Sequence, residues 1–91
     1  GIYVVRVHGL GASARPAVAS LGVRPTVEDH GRVLLEAHVL DGPVDAYGKL
    51  VRVEFLHKLR DEEKFPDLPS LTAAIAEDAR NARAYFAVHG L

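Results

Sequence analysis

The feature that most limits this chain is a change of hydrophobic period. In IYVVRVH, Tyr3, Val5 and Val7 take one face and Arg6 and His8 the other, the period of two that marks a half-buried strand. The pattern returns in AVASLGV, Ala17 to Val23, which can run back antiparallel to the first strand after the loop GLGASARP. RVLLEAHVL places Val33, Leu35, Ala37 and Val39 on one side and Leu34, Glu36, His38 and Leu40 on the other. KLVRVEFLHKL alternates again, Val51, Val53, Phe55 and Leu59 against Arg52, Glu54 and Lys58, and is long enough to bend or to form two short strands. RPTVEDHG and DGPVDAYG are turn-rich connections. After LRDEEKFPDLP the period becomes helical, with Leu71, Ile75, Ala79, Ala82 and Phe86 in step, Ser70 as the expected N-cap after Pro69 and Gly90 as the stop. Short antiparallel strands followed by one helix predict a mainly β domain, a small antiparallel barrel capped by a C-terminal α-helix.

At 91 residues a single domain and one small core are expected. The absence of cysteine excludes a disulfide framework and thiol chemistry, and favours a reducing, cytoplasmic setting. A formal charge of −1, with the basic residues spread along the chain, gives no stripe for a phosphate backbone, so nucleic acid is not an expected partner. No apolar run approaches the ~18 residues of a membrane span, and no membrane partner is expected. The chain begins at Gly1 and contains no methionine, from which a fragment or processed product is expected.

Glu36 is the residue that asks for a reason, a carboxylate amid apolar residues in mid-strand with no basic residue within three positions. Read alone, it fits a solvated strand face. Glu36 and His38 share a face and can be half of a metal site, but no second pair stands at ligand spacing, and an exposed or satisfied histidine is the simpler reading. DEEK, Asp61 to Lys64, reads as a solvated turn, and Gly22, Pro25 and Thr26 as turn-shaping residues.

Four spaced elements in order narrow the choice: SxGxxPT at Ser20 to Thr26, LExHxLD at Leu35 to Asp41, YGK at Tyr47 to Lys49, and VEFLxKLRxExKF at Val53 to Phe65. Together they resemble the riboflavin kinase domain, in the form that makes the C-terminal half of bacterial bifunctional riboflavin kinase/FMN adenylyltransferase. The resemblance implies a Greek-key-type barrel, six-stranded when complete, with a C-terminal helix. It implies transfer of the ATP γ-phosphoryl group to the ribityl 5′-hydroxyl of riboflavin, giving FMN, with Mg2+ and ATP used by the complete domain and an FMN adenylyltransferase domain in the same full-length chain.

On that resemblance Glu36 matches the catalytic base, able to take the hydroxyl proton as the bond to phosphorus forms. Arg60 and Glu62 match positions that help to hold the flavin. The DGPVDAYG loop resembles a flap over the flavin site, where Tyr47 either contacts the ring or fixes the Gly48 turn. The family's Pro-Thr-Ala-Asn loop, whose Thr and Asn help to hold the metal-bound phosphates, has no counterpart here. Pro25 and Thr26 belong to the later SxGxxPT element, and the metal role is not transferred to Thr26. The expectation is therefore an N-terminally truncated riboflavin kinase-like domain over residues 1–91, inactive by itself and prone to form a homodimer through an exposed edge. The alternative is a non-catalytic small β-barrel binding flavin, protein or single-stranded nucleic acid. Its weakness is the scarcity of spare aromatic residues for stacking.

Overall fold

The computed structural model describes residues 1–24 and 32–91. Its elements are β1 (Ile2–His8), β2 (Arg15–Arg24), β3 (Arg32–Val39), β4 (Arg52–Arg60) and α1 (Leu68–His89). Every pairing is antiparallel, in the order β3-β2-β1-β4. Three strands joined in succession and a fourth returning beside the first is the Greek-key order. The mainly β fold with one closing helix is thus the one that the hydrophobic periods indicate. Four strands form the sheet among the described residues, where the resemblance implies six for a complete barrel. Pro25 and Thr26 and most of the RPTVEDHG connection lie outside the described residues.

The central strand explains the core. Val4 and Val5 are neighbours with side chains on opposite faces, yet both are fully buried, so β1 is covered on both sides. One face carries Val5, Val7, Ala17 and Ala19, with Tyr3, Leu10, Val39 and Val53 packed around them. Tyr3 meets Phe55 edge to face at 5.1 Å between ring centroids, a favoured aromatic geometry. The other face carries α1, whose buried residues are Asp78 and Ala82. Farther out on the first face Val23, Val33 and Leu35 stand exposed.

β4 bends rather than splitting in two. Against β1 its register slips between Phe55 and His57 and again between Lys58 and Arg60, so Leu56 and Leu59 are extra residues with no partner across the ladder. Each slip turns the following side chains to the opposite face and coils the strand toward the helix. At the end of β1, Gly9 has φ 103, and a β-carbon there would lie 2.5 Å from the Leu50 carbonyl oxygen. Both the backbone angle and the close approach require glycine.

Helix α1 starts earlier than expected. Asp67, not Ser70, is the N-cap: its carboxylate accepts the Ser70 amide at 2.8 Å, and Pro69 lies within the first turn. Proline is suited to that turn because its missing N–H would have had no partner inside the helix. Ser70 lies inside the first turn and gives the cap its backbone amide. The helix ends at Gly90, φ 75, as expected, with the Gly90 amide bonded to the Phe86 carbonyl at 2.8 Å. Leu71 and Ile75, expected in the core, are exposed, because the first half of α1 overhangs a cleft instead of lying on the sheet.

Candidate functional site

Gly1 and Ile2 pair with Leu21 and Ser20 of β2, and β2 runs on to Arg24 beside β3. A space of about 1120 Å³ opens between the β2–β3 surface, the Asp61–Phe65 segment and the first half of α1. That is slightly above the volumes usual for small-ligand sites, ~300–1,000 Å³.

Its floor is the strand face of Leu34, Glu36 and His38 on β3, with Val18, Ser20 and Gly22 on β2. Glu36 stands directly across from Ser20. Alternation puts it on the same face as Leu34 and His38, which line the cleft, and a paired strand holds its backbone in place. The far wall holds Leu71, Ile75 and Ala79 from the helix, and the rim holds Glu62, Glu63, Lys64 and Phe65.

Arg60 lies in the cleft wall, and its side chain is heavily engaged. Nε and Nη2 donate to Oδ1 and Oδ2 of Asp78, both at 2.8 Å. Nη1 donates to the Asp61 carbonyl at 3.1 Å, and the guanidinium lies 5.6 Å from the centre of the Phe65 ring. Hydrogen bonding to Asp78 raises the Arg60 pKa, so the cation is permanent. Asp78 is 5 % exposed, and Arg60 is what makes a buried carboxylate tolerable there. Sequence reasoning missed Asp78. The signal was present: it sits three residues after Ile75 and four before Ala82, on the buried face, where a carboxylate needs a cation.

Glu62 is at the cleft rim with its carboxylate against the α-carbon of Gly22. Gly22 is therefore a mid-strand residue, paired with Leu34, rather than a turn former. Tyr47 is elsewhere. Its ring is 96 % exposed, outside the cleft lining, in a turn closed by the Lys49 amide on the Ala46 carbonyl at 3.1 Å. The Tyr47 amide donates to Asp45 Oδ1 at 3.1 Å, and Gly48 has φ 71 at the third position of the turn. Backbone and Asp45 fix this turn, and the tyrosine ring does not.

A second polar group sits on the helix-bearing face at the far end of β1. Glu54 bonds His8 Nε2 at 2.9 Å and Arg6 Nη1 at 3.4 Å. The bond from His8 and the charge of Arg6 hold its carboxyl below the usual range. Among the described residues no three His, Cys, Asp or Glu side chains converge to hold a metal ion, and no helix is long and apolar enough to cross a membrane.

The family model for riboflavin kinase, or flavokinase, matches residues 1–86. The chain belongs to the riboflavin kinase family. Within it, the chain is 44 % identical over 86 residues to the bifunctional riboflavin kinase/FMN adenylyltransferase of Escherichia coli (strain K12), covering 94 % of this chain and 27 % of that protein. The corresponding protein of Haemophilus influenzae is 40 % identical over 86 residues, covering 94 % of this chain and 28 % of that one. The chain thus spans about a quarter of the length of the curated relatives it matches. A crystal structure described as a macrolide-efflux protein from Streptococcus pneumoniae superimposes with a TM-score of 0.80 at 30 % identity, over 91 % of this chain and 27 % of that one. The riboflavin kinase fold and the four motif segments thus agree, and the cleft brings Glu36, Arg60 and Glu62 to one site while leaving Tyr47 outside it.

Proposed function

We propose that this chain carries the flavin-phosphorylating site of a riboflavin kinase, with Glu36 as general base. The observation that carries the reading is the position of Glu36, in the cleft floor on a paired strand. In the proposed reaction the 5′-hydroxyl of the ribityl chain attacks the γ-phosphorus of ATP. The new O–P bond forms as the bond to the bridging oxygen of ADP breaks, and the hydroxyl proton passes to the Glu36 carboxylate. A rigid strand suits this work, since a base must be held within hydrogen-bond reach of one oxygen.

Arg60 acts in this scheme chiefly by fixing the wall against which a flavin lies, and Glu62 by offering an acceptor at the rim. Tyr47 is proposed as a contact made on binding: its ring has no packing to lose, and covering it with ligand removes apolar surface from water. Phosphoryl transfer commonly uses a divalent cation with ATP, and magnesium is the proposed one. The described residues include no cluster fitted to hold it, so no step is assigned through the metal. The relatives' names support an FMN adenylyltransferase domain as the proposed companion of this one.

The test is FMN formation from riboflavin and ATP by the full-length protein, followed by chromatography, with Glu36→Gln beside it. Formation of FMN that the substitution leaves untouched would defeat the assignment of Glu36, and no FMN at all would defeat the kinase reading.

We also propose that the 91-residue chain by itself pairs with a second copy through the β2–β3 end of the sheet. Val23, Val33 and Leu35 are exposed side by side there, at 61 %, 68 % and 43 %, on a sheet whose β3 edge pairs with no other strand among the described residues. Light scattering across a concentration series should show a dimer at high micromolar concentration. A stable monomer with native-like unfolding would exclude it.

A further inference from the structure

Gly22 occupies a position that does not need a glycine for its backbone. It lies within β2, paired with Leu34, and its φ is not in the left-handed region. A glycine within a strand gives up more chain entropy than alanine and packs nothing, so its usual reason is the close approach of another group. Here that group is Glu62. A β-carbon built on Gly22 would overlap Cδ and both carboxylate oxygens of Glu62, and it would come within 4 Å of no atom nearer than these. Gly22 also lines the floor of the cleft on the same face as Ser20, and Ser20 stands opposite Glu36.

We infer that Gly22 is a positioning residue: its bare α-carbon is the seat that brings the Glu62 carboxylate down onto the floor of the cleft, and so sets where a bound flavin meets its rim acceptor. The reason lies in the geometry of the crossing. Glu62 sits two residues past the end of β4, in the segment that follows Arg60, and Arg60 is tied to Asp78. With one end of the segment fixed, the reach of the Glu62 side chain is limited, and contact with β2 requires the strand surface to be low at that point. Any side chain at position 22 raises it. Glu62 is exposed and its end is flexible, so alanine at position 22 moves the carboxylate away rather than breaking the fold. The inference rests on the flavin-site reading for the identity of the ligand, and on geometry alone for the contact between Gly22 and Glu62.

The experiment is a double-mutant cycle in the full-length protein, with Gly22→Ala, Glu62→Ala and both together. Riboflavin binding is read by quenching of its fluorescence, turnover by the split between KM and kcat, and Tm by thermal unfolding. Gly22→Ala should weaken riboflavin binding ~10-fold, the scale of losing one hydrogen bond to a charged group, with KM for riboflavin rising alongside and kcat held within about twofold. In the Glu62→Ala background the same substitution should add nothing to the loss of binding, and should leave Tm unchanged or raise it, since the overlap is gone and alanine restricts the unfolded chain. Equal effects of Gly22→Ala in both backgrounds would overturn the inference while the kinase reading stands. So would unchanged binding in Gly22→Ala. No binding of riboflavin by the unmodified protein would defeat the functional reading and the flavin part of this inference together. Additive changes in Tm would then also remove the contact between the two residues.

Discussion

A carboxylate on a strand becomes chemically interesting through what surrounds it. Alternation alone fixed the face that Glu36 shares, because Leu34, Glu36 and His38 had to lie together once Val33, Leu35 and Val39 took the other side. Alternation could not say that this face looks into a cleft rather than into open water. That depends on Asp61–Phe65 and the overhanging half of α1, which are distant in sequence. If Glu36 is the base, Glu36→Gln keeps the shape and a hydrogen-bonding group and loses the proton acceptor. We expect kcat to fall by ~10²–10⁴ with riboflavin affinity little changed. Steady-state kinetics with binding measured separately makes the distinction, and a loss confined to affinity would recast Glu36 as a binding residue. Gly22 shows the opposite limit of sequence reading. A glycine three residues before Pro25 and Thr26 suggests a turn, and only the structure supplies the carboxylate that explains a glycine within a strand.

At the scale of elements, the strands and the helix were readable because each has a clean period, and the errors fall where another force decides. The helix begins at Asp67 because a carboxylate there captures the Ser70 amide, and Ser70, itself a good capping type, is already inside the first turn. The bend in β4 follows from two unpaired residues, Leu56 and Leu59, which no alternation count would single out. How α1 is attached was hidden as well, since it depends on the pairing of Arg60 at the end of β4 with Asp78 in the helix. The two partners are unequally exposed, 26 % for the Arg60 side chain and 7 % for that of Asp78. Their removal should therefore be unequal. Arg60→Ala leaves a buried carboxylate with no cation, a loss of about 3–5 kcal/mol, whereas Asp78→Ala leaves a guanidinium that can turn to water and should cost clearly less. Denaturant midpoints for the two variants test this, and equal losses would mean that the pair does not behave as a buried anion held by a half-exposed cation.

For the whole molecule, the ionised carboxylates are distributed so that acid should loosen several junctions together. Glu54 on β4 is bound by His8 and Arg6 on β1. Asp41, just past β3, accepts from Arg15 Nε at the start of β2 at 2.8 Å. Asp67 caps the helix, and Asp61 pairs with Lys58 where the chain leaves the sheet for the cleft rim. In each case the carboxyl is held below its ordinary value of 3.8 for aspartate or 4.5 for glutamate. The first cause is the hydrogen bond from His8 for Glu54, from Arg15 for Asp41 and from Lys58 for Asp61, and for Asp67 the Ser70 backbone amide. A carboxyl that is more acidic folded than unfolded stabilises the fold at pH values above its unfolded pKa, and that contribution disappears as pH falls through the folded value. All four shifts have the same sign, so their effects add in one direction, although each is solvent-screened and small by itself. Tm should therefore stay nearly level on acidification until about pH 4.5 and then fall continuously as pH drops further. Because these bonds join β1 to β4, β3 to β2 and the helix to its own start, the fall should be a single cooperative loss of the domain, seen together in circular dichroism and in tyrosine fluorescence. Glu54→Gln combined with Asp41→Asn should lower Tm at neutral pH and flatten the acid limb, since those two carboxyls can no longer take up a proton on unfolding. A Tm that is as high at pH 3.5 as at pH 6, or an acid limb that the double variant leaves unchanged, would show that the acid response of the molecule comes from other groups.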